Sequence, residues 1–415
     1  MELKISETKT KIGVPLWTLS SSNYNSVVAG VIIKCGTRDE IWPKEAGIAH
    51  ALEHMHFQGT KNFPNSMILG EYIEETGGKM NAFTNNERTF YFARVPIEYA
   101  ERGVRFLSEQ IEKSIFPEDK IPIEMKNIIQ EIKRRNDDPH GLLWKTSQQF
   151  IYGNHPLSRD ILGIEESVLA FTKNDFLEFK KRNYNSSNYV FVVVGNITED
   201  EALKLFNKYF DNKPGRNPNK RENIKVIPPQ EKQFIRKKEL DQLHISFDAL
   251  IGKGSDKSSL YLEFFRDMIS GGMSFPLFQE VRDKRGLCYS IGASLTKRTD
   301  VGDFNIYIGT DPKRHKEAIS ATLEVIEKSK SDEVLLNKVK NLKLGQLALE
   351  YENTQDVIYS VTNDILFFGR PRGFEEIKKE IEEVAIGNIE ESVNKYLNPD
   401  SIFTTMLAPK DFTVD

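Results

Sequence analysis

Apolar positions along this chain follow two spacings. Several runs are continuous or alternate over strand lengths: NSVVAGVIIKCGT (25–37), NYVFVVVGNIT (188–198), QLHISFDAL (242–250) and SIFTTMLA (401–408). Elsewhere apolar residues recur every three or four positions, as helices require. Examples are SMILGEYIEETGG (66–78), with a Ser start and a Gly stop, EDEALKLFNKYF (199–210) and SSLYLEFFRDMISGG (258–272). Two stretches read as strand pairs around polar turns: KMNAFTNNERTFYFARV (79–95) and LCYSIGASLTKRTDVGDFNIYIGT (287–310). Strand, helix, strand pair, helices and closing strand occur in that order twice. The pattern predicts two similar α+β halves, each a mainly antiparallel sheet packed with helices.

Residues 211–230 lack apolar periodicity and hold four prolines, which marks a break between the halves. The expected organisation is an N-terminal domain over 1–212, a linker over 213–230 and a C-terminal domain over 231–415. A chain of 415 residues is too long for one ordinary core, in agreement with that division.

Chemistry concentrates in GIAHALEHMHFQGT (47–60), which carries three of the chain's seven histidines. Ile48, Leu52 and Met55 share one helix face. At about 100° per residue, His50, Glu53, His54 and Phe57 fall on the opposite face. His50 and His54 lie one turn apart, so both rings can close on one ion, while His56 points away. Incidental histidines on a solvated face would explain one such residue. The combined H-x-x-E-H order favours a catalytic metal of the inverted zincin kind. Zinc then needs a third protein ligand. EMKNIIQEIKRR (124–135) reads as a helix with Glu124 and Glu131 on one face, a spacing that equally fits a wet surface.

Three motifs together, HALEHMHFQGT, NAFTNNERTFYF and EMKNIIQEI, resemble the pitrilysin-type metallopeptidases, within them the processing-peptidase-like subfamily. NHPLSRDILG (154–163), NYVFVVVGNIT and GGMSFPLFQEVRDKRGLCYSIGASL (271–295) extend the resemblance over nearly the whole chain. The resemblance implies His50, His54 and Glu131 as zinc ligands, Glu124 as a supporting group and Glu53 as general base. It implies substrate contacts from Asn81 and the backbone of Ala82, and from Arg282 and Tyr289 reaching the substrate and its oxyanion. It also implies a clamshell of two homologous halves around a chamber, and a homodimer. His56 departs from the family, whose members usually carry an apolar residue there.

The second half has no H-x-x-E-H, so one zinc per chain is expected. The implied activity is hydrolysis of peptide bonds in short or unfolded peptides. The alternative is a non-catalytic or partner-dependent subunit that binds peptides; relatives of that kind have usually lost the motif residues kept here.

Net charge is only −4 with no long basic run, which argues against a broad nucleic-acid-binding face. Two cysteines, Cys35 and Cys288, build no disulfide framework. No apolar run approaches a membrane span, and the N-terminus lacks the apolar core of a secretory signal. The expected setting is the cytoplasm, without membrane or nucleic-acid partners.

Overall fold

The computed structural model describes residues 3–213 and 225–413. Most of the linker expected at 213–230 falls on 214–224, outside the described residues. The chain forms two compact units. One holds the chain up to Arg134, the segment beginning at Arg159, and Leu349–Phe374. The other holds Arg135–Ser158, the segment ending at Ala348, and Glu375 onwards.

In the first unit six strands, β1 (Lys4–Lys9), β2 (Pro15–Ser20), β3 (Ser26–Ile33), β4 (Lys79–Thr84), β5 (Thr89–Pro96) and β6 (Tyr189–Gly195), lie in the order β1-β2-β6-β3-β5-β4. Only the β2–β6 pair is parallel. In the second unit β7 (Gln233–Lys238), β8 (Leu243–Ile251), β9 (Cys288–Thr296), β10 (Gly302–Thr310) and β11 (Ile402–Pro409) lie in the order β7-β11-β8-β10-β9. Here only β7–β11 is parallel. Without β1, the first sheet matches the second in strand order and direction. The repeat expected from the order of elements is therefore present in the topology of this α+β fold.

β1, β2 and β7 are strands that the apolar pattern did not announce. β1 and β7 each pair on one side only, and both are largely exposed edges with little apolar content (KISETK and QFIRKK). Edge strands of this kind have no buried face to write into the sequence.

Each unit borrows a helix from the other half of the sequence. Helix Thr354–Phe368 packs on β3 and β6 of the first unit. Helix Pro139–Tyr152 packs on the corresponding strands β8 and β11 of the second. This explains why β3 and β6 read as unbroken apolar runs. Helix Ala100–Glu112 covers β3 and β5 as well, and both faces of β3 are buried from Val27 to Ile33. Val357, Ile358, Val361 and Ile365 are buried on the borrowed helix. Each such burial contributes about 1.5–3 kcal/mol. The fit is close at Gly30, where a Cβ would stand 2.5 Å from the Phe90 ring.

The second borrowed helix meets a different surface. β8 alternates, with His244, Ser246 and Asp248 facing away from the apolar residues, yet these too are buried. Within the sheet Asp248 accepts from Ser246 and Asn305, both at 2.8 Å, and next to it the helix adds polar contacts: Tyr152 donates to Asp303 Oδ1 at 2.9 Å, and Arg298 donates to Gln148 Oε1 at 3.0 Å and ion-pairs with Asp303. A buried charge so compensated is tolerated where an unpaired one is not.

Candidate metal centre

Helix Ile48–Met55 starts at Gly47, whose φ of 91° suits glycine alone, and a Cβ there would stand 2.7 Å from the Leu162 carbonyl. Glu40 caps this start: its carboxylate accepts from the amides of Gly47 at 3.1 Å and Ala49 at 3.0 Å. Burial pushes the Glu40 carboxyl well above the usual range, and the two amide hydrogen bonds pull back toward the ionised form. Sequence gave no sign of this cap, since Glu40 lies seven residues before Gly47. Ile48, Leu52 and Met55 are fully buried and fix which face the helix turns outward.

On that outward face the His50 and His54 rings stand edge to face, centroids 4.6 Å apart. Helix Ile121–Asp137 buries Ile121, Met125, Ile128, Ile129 and Ile132, and presents Glu124 and Glu131 to the histidine pair. Glu131 Oε2 lies 3.7 Å from His50 Nε2, and Glu131 Oε1 lies 3.8 Å from His54 Nε2. His50, His54 and Glu131 each offer a ligand atom within 4.8 Å of the others, the only such group among the described residues. Tetrahedral zinc with ligand bonds near 2.0–2.2 Å sets ligand atoms about 3.3 Å apart. The donor atoms observed here stand wider apart, up to 4.8 Å, so the side chains draw inward on binding an ion, and two imidazole nitrogens with one carboxylate oxygen are a donor set that fits zinc.

His54 Nδ1 lies 3.4 Å from Glu124 Oε2. With Nδ1–H donated to Glu124, Nε2 keeps its lone pair for the site. Burial pushes the His54 pKa down, but the Glu124 hydrogen bond and the carboxylates of Glu131, Glu53 and Glu124 outweigh it, and the net shift is upward. Glu53, nearly buried, is raised, first by burial and also by Glu131, against a hydrogen bond from Thr84 and the proximity of His54.

His56 is fully buried away from the cluster, against Tyr91, Phe116 and Tyr184. Asn81 and Ala82 lie on β4, the open edge of the first sheet, and the Asn81 side chain accepts from the Ala82 amide at 2.9 Å. Arg282 and Tyr289 belong to the second unit. The Arg282 guanidinium lies 5.0 Å from the centroid of the Tyr289 ring, and Tyr289 is 76% exposed. Arg282 sits on a π-helix, Leu277–Asp283, and Gly286, at φ 56°, makes the turn into β9.

Residues 17–165 match the family model described as Insulinase (Peptidase family M16), and residues 170–343 match the model described as Peptidase M16 inactive domain. Among curated proteins, the chain is 29% identical to an "Uncharacterized zinc protease" of Rickettsia felis, over 97% of both chains. It is 29% identical to "Uncharacterized zinc protease YmxG" of Bacillus subtilis, over 91% of this chain and 92% of the relative. A crystal structure of a protease from Helicobacter pylori matches 99% of this chain and all of its own, with TM-score 0.87 at 20% identity. A Pseudomonas fluorescens structure described as a peptidase M16 inactive domain gives TM-score 0.87 at 17% identity over the full length of both. At these identities the two structures speak for the fold.

Proposed function

Because this chain belongs to the M16 (insulinase/pitrilysin) family of zinc proteases, we propose that it hydrolyses peptide bonds in short or unfolded peptides, using one zinc per chain. The observation that carries this reading is the grouping of His50, His54 and Glu131, whose ligand atoms lie within 4.8 Å of one another, with Glu53 on the helix of the two histidines. When bound there, zinc supplies a Lewis acid that polarises the scissile carbonyl and makes water acidic enough to deprotonate near neutral pH.

In this proposal the side chains divide the remaining tasks. His50 Nε2, His54 Nε2 and a Glu131 carboxylate oxygen hold the metal. Glu124 fixes the His54 tautomer through Nδ1. Glu53 takes the proton of the attacking water and returns it to the leaving amine; its burial and raised pKa favour a base that can also act as an acid. The backbone of β4 at Asn81 and Ala82 receives an extended peptide by strand addition, regardless of most side chains. Arg282 binds a substrate carbonyl and Tyr289 donates to the oxyanion, a role supported by the exposure of Tyr289, by the contact of the two side chains and by the resemblance. Pairing of two chains and a cytoplasmic setting rest on the resemblance and composition; among the described residues no helix is long and apolar enough to cross a membrane.

The test is cleavage of unstructured fluorogenic peptides by purified chain. Cleavage that a chelator abolishes and zinc restores supports the reading. Absence of cleavage at full zinc loading refutes it in favour of a peptide-binding subunit.

A further inference from the structure

β4 and β5 meet in a hairpin whose four-residue turn, NNER (85–88), is closed by its own side chains. Asn85 Oδ1 accepts from the amides of Glu87 and Arg88, both at 2.9 Å, and the Asn85 amide donates to the Arg88 carbonyl at 2.9 Å. The turn is then pinned from outside. Glu87 forms a buried ion pair with Arg38 at 2.7 Å, and Arg88 donates to the Thr362 carbonyl and to Asn363. This rigid closure sets Thr84, the last residue of β4, directly across from Thr89, the first of β5. The two hydroxyl oxygens are 3.3 Å apart, and Thr84 Oγ1 lies 2.5 Å from Glu53 Oε2.

A threonine hydroxyl has one proton and two lone pairs. Thr89 donates its proton to the Cys35 carbonyl at 3.1 Å. Toward Thr84 it is therefore an acceptor only. Tyr184, Tyr91 and His56 form a separate buried polar chain through contacts of 3.1 and 2.9 Å. With its proton given to Cys35, Thr89 cannot supply Glu53 with a donor. Thr84 alone does so, and its one proton goes to the ionised carboxylate in preference to a neutral hydroxyl.

We propose that Thr84 is a positioning residue for the base: by occupying Glu53 Oε2 it locks the carboxylate in one orientation and leaves Oε1 as the oxygen that takes the proton. This rests on the peptidase reading above. A carboxylate free to rotate would spend much of its time with neither oxygen in line, and such misplacement lowers the rate without weakening substrate binding. The hairpin, not the metal helix, then aims the base.

The experiment uses the full zinc-loaded chain and compares Thr84→Val with Thr84→Ser. Valine keeps the branched shape that suits a strand and removes the donor; serine restores the donor. Expected for Thr84→Val are unchanged zinc content, KM within about twofold and kcat lowered by about 10- to 100-fold, the scale of a lost hydrogen bond to a charged group. Thr84→Ser should recover kcat to within a few-fold (~2- to 5-fold, the same bond restored). Crystal structures of both variants provide the readout apart from activity: Glu53 leaves its rotamer in the valine variant and keeps it in the serine variant. Serine behaving like valine, or valine leaving both kcat and the Glu53 rotamer unchanged, overturns the proposal. If the unaltered chain cleaves no peptide, the functional reading fails, and the Glu53 rotamers in the two crystal structures still decide the role of Thr84.

Discussion

His54 and Glu124 meet Nδ1 to Oε2 at 3.4 Å, across from the nitrogen that faces Glu131. The two glutamates of one helix thus touch opposite sides of the same ring, and their removal should differ in degree. Glu124→Gln is expected to weaken zinc about 10- to 100-fold, as loss of a ring-orienting partner does. Glu131→Gln and His54→Ala should lose the metal outright under the same chelator competition. Equal retention in the two glutamate variants would show that the second helix does not hold zinc.

Glu53→Gln should keep zinc, since the three ligand side chains remain. It should lower kcat by about 10² to 10⁴, the usual range for loss of a general base, with KM little changed. A variant with normal kcat removes Glu53 from the chemistry. One without metal makes it a ligand.

Burial pushes the Asp248 carboxyl up to about 6, with hydrogen bonds from Asn305 and Ser246 offsetting part of the rise. In the unfolded chain the same group ionises near ~3.9. Below that pH both states are protonated and the group is neutral to stability. As pH rises through about 4 to 6 the unfolded chain releases its proton first, so stability is lost until the folded carboxyl also ionises. Asp248→Asn should remove this loss. Urea unfolding at pH 4 and pH 7 should show the variant gaining on the parent by on the order of 3 kcal/mol at the higher pH. Parallel behaviour at the two pH values would mean that Asp248 carries no such penalty.

The second unit bears a charged counterpart of the metal cluster. Glu263 and Asp267 stand one turn apart on helix Lys257–Ser270, as His50 and His54 do on theirs. Lys343 Nζ, from helix Glu333–Glu350, lies 2.8 Å from each, and Lys297 also pairs with Glu263. Burial alone would raise the Glu263 carboxyl, but the two lysines hold it well below the usual range. Lys343→Met should destabilise the fold by roughly 3 kcal/mol, because it leaves two carboxylates short of charge. Thermal unfolding with both variants, Lys343→Met and Lys343→Met/Asp267→Leu, checks this: the double change should recover part of the loss.

Much of this was legible in the sequence because the reasons are local. H-x-x-E-H places two rings and a carboxylate on one helix face by helical geometry alone, and Ile48, Leu52 and Met55 announce the face that is buried. Glu131 was ambiguous, since seven residues of spacing from Glu124 fit a wet surface equally well; only tertiary packing brings it to the histidines. The Glu40 cap and the Thr84–Glu53 bond join residues 9 and 31 positions apart through turns of the chain, and no periodicity encodes them. β8 shows a third limit. Its alternating pattern reads as one wet face, yet that face is buried under helix Pro139–Tyr152, with Asp248 bonded to Ser246 and Asn305 and His244 to Tyr307.

The borrowed helices also set the order in which this molecule can become complete. While the chain is being synthesised, the H-x-x-E-H helix and its glutamate partner emerge within the first third of the sequence. The cover of β3 and β6 is not made until Thr354–Phe368 follows. Until then the sheet beside the proposed zinc ligands has one apolar face without its covering helix. A nascent chain therefore carries His50, Glu53, His54 and Glu131 more than two hundred residues (roughly half the chain) before it has the last piece of the scaffold that holds them.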